Sequence, residues 1–215
     1  VAGKISGLRF QKKKRDWVSV YVEGEYAFSL PAVKAVSLHV GQYLTDGEIE
    51  GFLRLQAEEK AYEQAVRFLG YRPRSKSEVE RYLKKKKATP ETIGVVIRRL
   101  DDAGYLDDEA FARFWVNNRM QFSPRGRRAL EYELRSKGVD EQVIRRVLDG
   151  HPQEDEESIA YGLAKAKSET WKGMDYPEFA RKLGGFLQRR GFDYQVVRKV
   201  IRRLWDEKGI SRSGE

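Results

Sequence analysis

The sequence predicts a mainly α-helical chain, built as three tandem three-helix repeats in an elongated array behind a small N-terminal antiparallel β subdomain. Three observations carry that expectation. Residues 4–30 alternate apolar and polar side chains with the two-residue period of a half-buried strand. From Asp46 onward the apolar positions follow a helical period instead. A frame of proline, leucine, capping residue and apolar positions then recurs three times, at offsets of 51 and 53 residues.

In chain order, Ile5–Phe10 (ISGLRF) and Trp17–Val22 (WVSVYV) read as strands joined by the polar connection QKKKRD. Glu23–Glu25 is a tight turn and Tyr26–Leu30 a third strand. Pro31–Val40 reads as a short helix with Pro31 at its first position, where the missing N–H costs nothing, and Gly41 as its end.

The repeat frame begins with Pro73, Pro124 and Pro177, each ten residues before a leucine: Leu83, Leu134 and Leu187. Five residues beyond the leucines stand Ala88, Val139 and Phe192, and six beyond stand Thr89, Asp140 and Asp193. Thr and Asp at that point cap a helix by accepting backbone N–H bonds, and Pro90 follows Thr89 at the favoured first helical position. Ten, thirteen and fourteen residues on come Ile93, Val96 and Ile97, then Ile144, Val147 and Leu148, then Val197, Val200 and Ile201, which share one helical face. Gly138 and Gly191 suit the left-handed end of the preceding helix, where the first unit carries Lys87. Ser75 with Glu78 resembles a capping box. A further helix precedes each proline, and Ala61, Ala65 and Leu69 match Ala112, Val116 and Met120 at a spacing of 51. The expected division is 1–50 (β-rich with a short helix), 51–106, 107–152 and 153–209 (one repeat each) and a tail at 210–215, with Asp149–Glu157 as the clearest linker.

The residue inventory narrows the chemistry. The 215 residues hold no cysteine, so a thiolate nucleophile, a disulfide framework and Cys-ligated metal are excluded. The two histidines, His39 and His151, lie far apart in sequence. No phosphate-cradling loop exists, since Gly184–Phe186 lacks the Lys-Ser/Thr partner. The acidic run Asp101, Asp102, Asp107, Asp108 and Glu109 reads as helix capping, with Asp107 or Asp108 as the cap, rather than as a metal site. A non-enzyme with no cofactor, no catalytic residue and no metal is expected. No apolar run reaches the roughly 18 residues of a membrane span, and no signal-peptide core precedes the N-terminal charges, so a soluble cytoplasmic protein acting as a monomer is expected.

Charge placement is the remaining functional signal. Net charge is +9, which suits phosphate or an acidic protein surface as partner. Arg72–Lys87 carries a net +6, eight basic residues against Glu78 and Glu80, and Arg181–Arg203 a net +7, eight against Asp193. Candidate contacts for a partner or DNA are Arg72, Arg74, Lys76, Arg81, Lys84 and Lys85 in the first repeat. Arg125, Arg127, Arg128 and Arg135 are candidates in the second, and Arg181, Lys182, Arg189 and Arg190 in the third. Arginine's planar fork meets phosphate or carboxylate bidentately, whereas a lone lysine on a helix is by default a solvated side chain. Tyr71 and Phe122, read as turn residues, could stack on bases; most other aromatics in the repeats read as core.

The segments YRPRSKSEVERYL, AGYLDDEAFARFWVNNR and SPRGRRALEYELRSKGVD resemble the RecX family of recombinase regulators. The likeness covers about residues 55–209 as three repeats, and the strand-rich N-terminal part resembles the β extension of longer members. It implies a non-catalytic cytoplasmic protein that lodges along the RecA filament on DNA and restrains its extension, ATPase activity and strand exchange. It thereby bears on homologous recombination, DNA repair and the SOS response. Single- or double-stranded DNA would be met directly or within the filament. Lys87 in place of glycine and the longer SETWKGMDYPEF spacing in unit three depart from the pattern. A DNA-binding module independent of the filament, or a general helical scaffold, remain open from the residues alone.

Overall fold

The strands form because β-branched and aromatic residues alternate where the chain can bury one face. The computed structural model describes residues 2–150, 153–171 and 173–212, so His151, Pro152 in the expected linker and the last three residues of the tail lie outside the described residues. Strands β1 (Gly3–Phe10), β2 (Trp17–Val22), β3 (Glu25–Pro31) and β4 (Tyr43–Leu44) make one antiparallel sheet in the order β3-β2-β1-β4. Ile5, Val20, Phe28 and Leu30 are its buried centre. The turn at Glu23–Gly24 takes positive φ at both residues (50° and 88°), the geometry that matches strand twist in a two-residue hairpin.

The expected helix over 31–40 is largely absent. Pro31 ends β3 with extended geometry (ψ 141°), and only Ala32–Ala35 (α1) is helical. Pairing explains the difference: the Ile5 N–H donates to the Gln42 carbonyl at 2.8 Å and the Gly41 N–H to the Ile5 carbonyl at 2.8 Å. The chain must turn back at Gly41 (φ 91°) to lay β4 on β1, and those sheet bonds outweigh weak local helix preference. A two-residue strand is too short for any periodicity to reveal.

Helix α2 (Asp46–Leu69) opens on a capping box between Thr45 and Glu48 and runs 24 residues, about 36 Å. It is continuous through residue 50. Its first turns cover the sheet through Ile49 and Phe52; its last turns, through Ala61 and Ala65, enter the first three-helix core. That core is completed by α3 (Lys76–Lys85) and α4 (Pro90–Asp102), with Val79, Leu83, Val96 and Leu100 fully buried. By contacts the chain divides into two units, residues 1–74 with 78–106, and residues 75–77 with 107–215.

The second unit holds the other two repeats: α5 (Asp108–Phe122), α6 (Arg127–Ser136) and α7 (Glu141–Asp149), then α8 (Gln153–Ser168), α9 (Tyr176–Arg189) and α10 (Tyr194–Arg212). Each has its own core, around Leu134 and Ile144 in one and around Leu187 and Val197 in the other. The caps stand where the repeat frame places them. Thr89 accepts from the Thr92 N–H, Asp140 from the Gln142 N–H at 2.8 Å and Asp193 from the Gln195 N–H at 2.8 Å. Asp107, not Asp108, caps α5 by accepting from Glu109 and Ala110, while the Asp108 carboxylate takes the Lys76 N–H at 2.9 Å. Lys87 adopts φ 63°, the same left-handed turn that Gly138 (78°) and Gly191 (83°) make, so the first repeat keeps the geometry at the steric cost of a side chain.

Truncating a frame leucine opens a cavity that the close-packed core cannot refill. Leu134→Ala is expected to lower stability by about 2–5 kcal/mol, and Tyr132→Ala on the outer face of α6 by no more than about 0.5 kcal/mol, as read by urea unfolding.

Candidate partner-binding surface

The cationic residues sort into three groups once their surroundings are known. The first is structural. Arg72 makes a fork to Glu78, its two terminal nitrogens 3.2 and 3.1 Å from the carboxylate oxygens, and also reaches the Pro73 carbonyl at 2.7 Å. Arg74 lies over the Phe68 ring at 3.9 Å, and Phe68 in turn stacks on Tyr82 with ring centroids 4.1 Å apart. Burial, then the neighbouring Arg72, lowers the Arg74 pKa from its ordinary value. In the third repeat, Arg190 reaches the Pro124 carbonyl at 3.3 Å and covers Phe186.

A second group is held in ion pairs on the repeat surface. Arg127 donates to Glu131 at 3.1 Å and to Asp149 at 2.6 Å. Burial opposes its charge, but the bonds to Asp149 and Glu131 outweigh that and raise its pKa. Arg128 meets Asp193 at 2.8 Å, and Lys182 meets Glu178 at 3.0 Å. Arg135 forks onto Glu141 at 2.7 and 2.8 Å, which lowers the Glu141 pKa and raises that of Arg135. Such exposed pairs add little stability, about 0–1 kcal/mol in general, so a partner anion can compete for the guanidinium at small cost.

The third group points outward. Arg81, Lys84, Lys85, Arg181 and Arg189 are exposed, because Val79 and Leu83 on α3, and Leu183 and Leu187 on α9, occupy the opposite faces of those helices. The Lys76 backbone N–H is bound by Asp108, as described above. Tyr71 and Phe122 are 78% and 71% exposed, open to stacking, though Phe122 is the last residue of α5 rather than a turn residue.

Within the second unit, Arg127 and Arg128 of the ion-paired group line one cleft together with Arg125. It has a volume of about 850 Å³, a floor of Met120, Leu130, Leu148 and Ile159, and a rim carrying Arg125, Arg127 and Arg128 with Glu131, Glu156 and Asp193. Arg125 stands 4.0 Å from Glu133, whose other oxygen accepts from Arg119 and Trp115 at 2.7 Å each. The Arg125 Nε is buried with no hydrogen-bond partner, and so is the Nε of Arg74 at the matching repeat position. A mixed-charge rim over an apolar floor suits a protein segment better than a bare polyanion.

Sequence reasoning missed the carboxylates that organise these arginines. Glu131 stands four residues from both Arg127 and Arg135, a spacing that signals helix-surface pairs. Glu133, Asp149 and Glu156 give no such signal, because tertiary packing brings them to the site.

Among the described residues no cluster of His, Cys, Asp and Glu has the arrangement of a metal site, and no helix is long and apolar enough to cross a membrane. Three family models match: RecX first three-helix domain over residues 61–100, RecX second three-helix domain over 107–148 and RecX third three-helix domain over 154–201. The chain is 32% identical to regulatory protein RecX of Bacillus subtilis over 90% of its own length and 74% of that protein's. It is 29% identical to that of Bacillus cytotoxicus over 98% of its length and 80% of the relative's. A crystal structure of regulatory protein RecX superposes with a TM-score of 0.78 at 24% identity, covering 93% of this chain and 98% of the other. A RecX structure from Lactobacillus salivarius gives 0.64, covering 69% and 96%. At that identity the superpositions speak for the fold, which is mainly helical with a small four-stranded sheet. Taken with family models that span all three repeats, and relatives named regulatory proteins, they lead to one assignment: the chain belongs to the RecX family.

Proposed function

We propose that this protein regulates homologous recombination and DNA repair by binding the RecA filament on DNA, where it restrains filament extension, ATP hydrolysis and strand exchange. The observation that carries this reading is the match of all three repeats to the RecX family. The surface chemistry supports it. A nucleoprotein filament offers both carboxylates and phosphates, and the chain offers outward cations on α3 and α9 and a cleft with an arginine rim. Binding alone suffices for such a regulator, so it needs no catalytic residue and no cofactor, and it acts as a monomer in the cytoplasm. The test is the rate of RecA ATP hydrolysis on single-stranded DNA with the protein present below the RecA concentration. The rate falls and filaments shorten; an unchanged rate and filament length would overturn the proposal.

A second reading, a sequence-nonspecific DNA-binding helical module, is favoured by the exposed run Lys84–Lys87 at the C-terminal end of α3. It requires tight binding to bare DNA with a steep salt dependence, since each neutralised phosphate releases counterions. Weak binding to bare DNA beside strong binding to the filament would reject it.

A further inference from the structure

We infer that the β1–β2 loop of the N-terminal sheet is a single-stranded nucleic-acid contact, with Lys12, Lys13 and Arg15 neutralising phosphates and Phe10 stacking on a base. The inference goes beyond the filament reading, which assigns no role to the sheet.

The loop is built, not merely polar. Its base is closed by two backbone bonds of 2.9 Å, from the Gln11 N–H to the Trp17 carbonyl and from the Trp17 N–H to the Lys14 carbonyl. The Gln11 side chain donates to Ser29 at 2.9 Å. Lys14 pairs with Glu63 of α2 and lies 4.5 Å over the Trp17 ring, and Glu63 also accepts from the Trp17 indole N–H. The Ala32 N–H donates to the Asp16 carbonyl at 2.7 Å. These bonds fix the backbone of the loop before any ligand arrives, which lowers the ordering cost of binding.

The cations fixed in this way are left over. Lys12, Lys13 and Arg15 are exposed and none is in an ion pair among the described residues, in contrast to the paired arginines of the second repeat. Arg67 of α2 is likewise exposed and lines the same concavity of about 690 Å³. Five cations against Asp16 and Glu63 give that concavity a formal charge of +3. Phe10 ends β1 directly before the loop and is 69% exposed, so its ring is open to a ligand. Flexible cations beside an uncovered aromatic face are what sequence-tolerant recognition of single strands uses.

The experiment is fluorescence anisotropy of labelled oligothymidylate with the full chain, titrated across a range of salt. Three neutralised phosphates at about 0.7 each predict that Lys12→Ala/Lys13→Ala/Arg15→Ala lowers the slope of log affinity against log salt by about 2. Phe10→Ala weakens binding by about tenfold, the loss of one stacked base, without changing the slope. Both variants keep the melting temperature of the parent, because all four side chains are exposed. Unchanged affinity and slope in the triple variant overturn the inference. So does loss of RecA inhibition with oligothymidylate binding intact, which would place a protein surface at the loop. Parent protein that inhibits RecA but does not bind oligothymidylate overturns it too, and leaves the filament reading standing.

Discussion

Gly191→Ala is expected to destabilise the second unit by about 3 kcal/mol and to lower its melting temperature by roughly 10 °C. Two causes add. Gly191 sits at φ 83°, where an L side chain costs about 1–2 kcal/mol. A Cβ there would also stand 2.3 Å from the Ala129 Cβ and 2.4 Å from the Ala129 nitrogen, so the α9–α10 turn and the start of α6 would have to part. The same seam is tight from the other side, because a Cβ on Gly126 would meet the Gly191 carbonyl carbon at 2.4 Å. Two backbone bonds cross it, from the Gly126 N–H to the Arg190 carbonyl at 2.9 Å and from the Arg128 N–H to the Gly191 carbonyl at 3.2 Å. Gly104→Ala separates the two causes: its φ is 71° but no atom lies within 4 Å, so only the conformational cost of about 1–2 kcal/mol remains. Equal losses in the two variants, followed by circular dichroism, would show that the seam yields freely.

Lys84→Glu/Lys85→Glu is expected to raise the protein concentration needed for half-inhibition of RecA ATP hydrolysis by at least tenfold, about 1.4 kcal/mol. Both side chains face away from Val79 and Leu83 at the end of α3, so nothing in the core depends on them. Their charge does favour the helix C-terminus, and reversing it costs about 0.3–1 kcal/mol per residue. Lys84→Gln/Lys85→Gln keeps that cost smaller and still loses inhibition. Arg72→Glu/Arg74→Glu behaves differently, losing stability as well as inhibition, because Arg72 forks onto Glu78 and Arg74 covers Phe68. From sequence Arg72, Arg74 and Lys76 are candidate contacts on the same footing as Lys84 and Lys85; only the two arginines' surroundings separate them. Inhibition equal to the parent in both lysine doubles would remove α3 from the contact.

The candidate surface was only half legible for the same reason. Arg81, Lys84 and Lys85 could be placed outside by counting helical turns from Val79 and Leu83. The Arg127–Glu131 pair is legible as an i,i+4 spacing, but the pairs of Arg127 with Asp149 and of Arg128 with Asp193, 22 and 65 residues away, are not. The loop Gln11–Asp16 reads in sequence as a polar connection only. Its cations stand apart because Lys14 alone, among four neighbouring basic residues, finds a carboxylate.

By itself the sequence determined the repeat. Proline, cap and apolar positions act within one or two helical turns, so their spacing alone places Leu83, Leu134 and Leu187 in three cores and Thr89, Asp140 and Asp193 at three helix starts. Tertiary structure alone decided what distant segments settle between them. It cut the expected helix after Pro31 to the four residues of α1 and added a fourth strand, because pairing with β1 satisfies backbone groups that a marginal helix would satisfy no better. It also chose which cations are tied down across the fold and which stay exposed, because a pair between distant segments, such as Arg128 with Asp193, depends on distance in space and leaves no period in the chain.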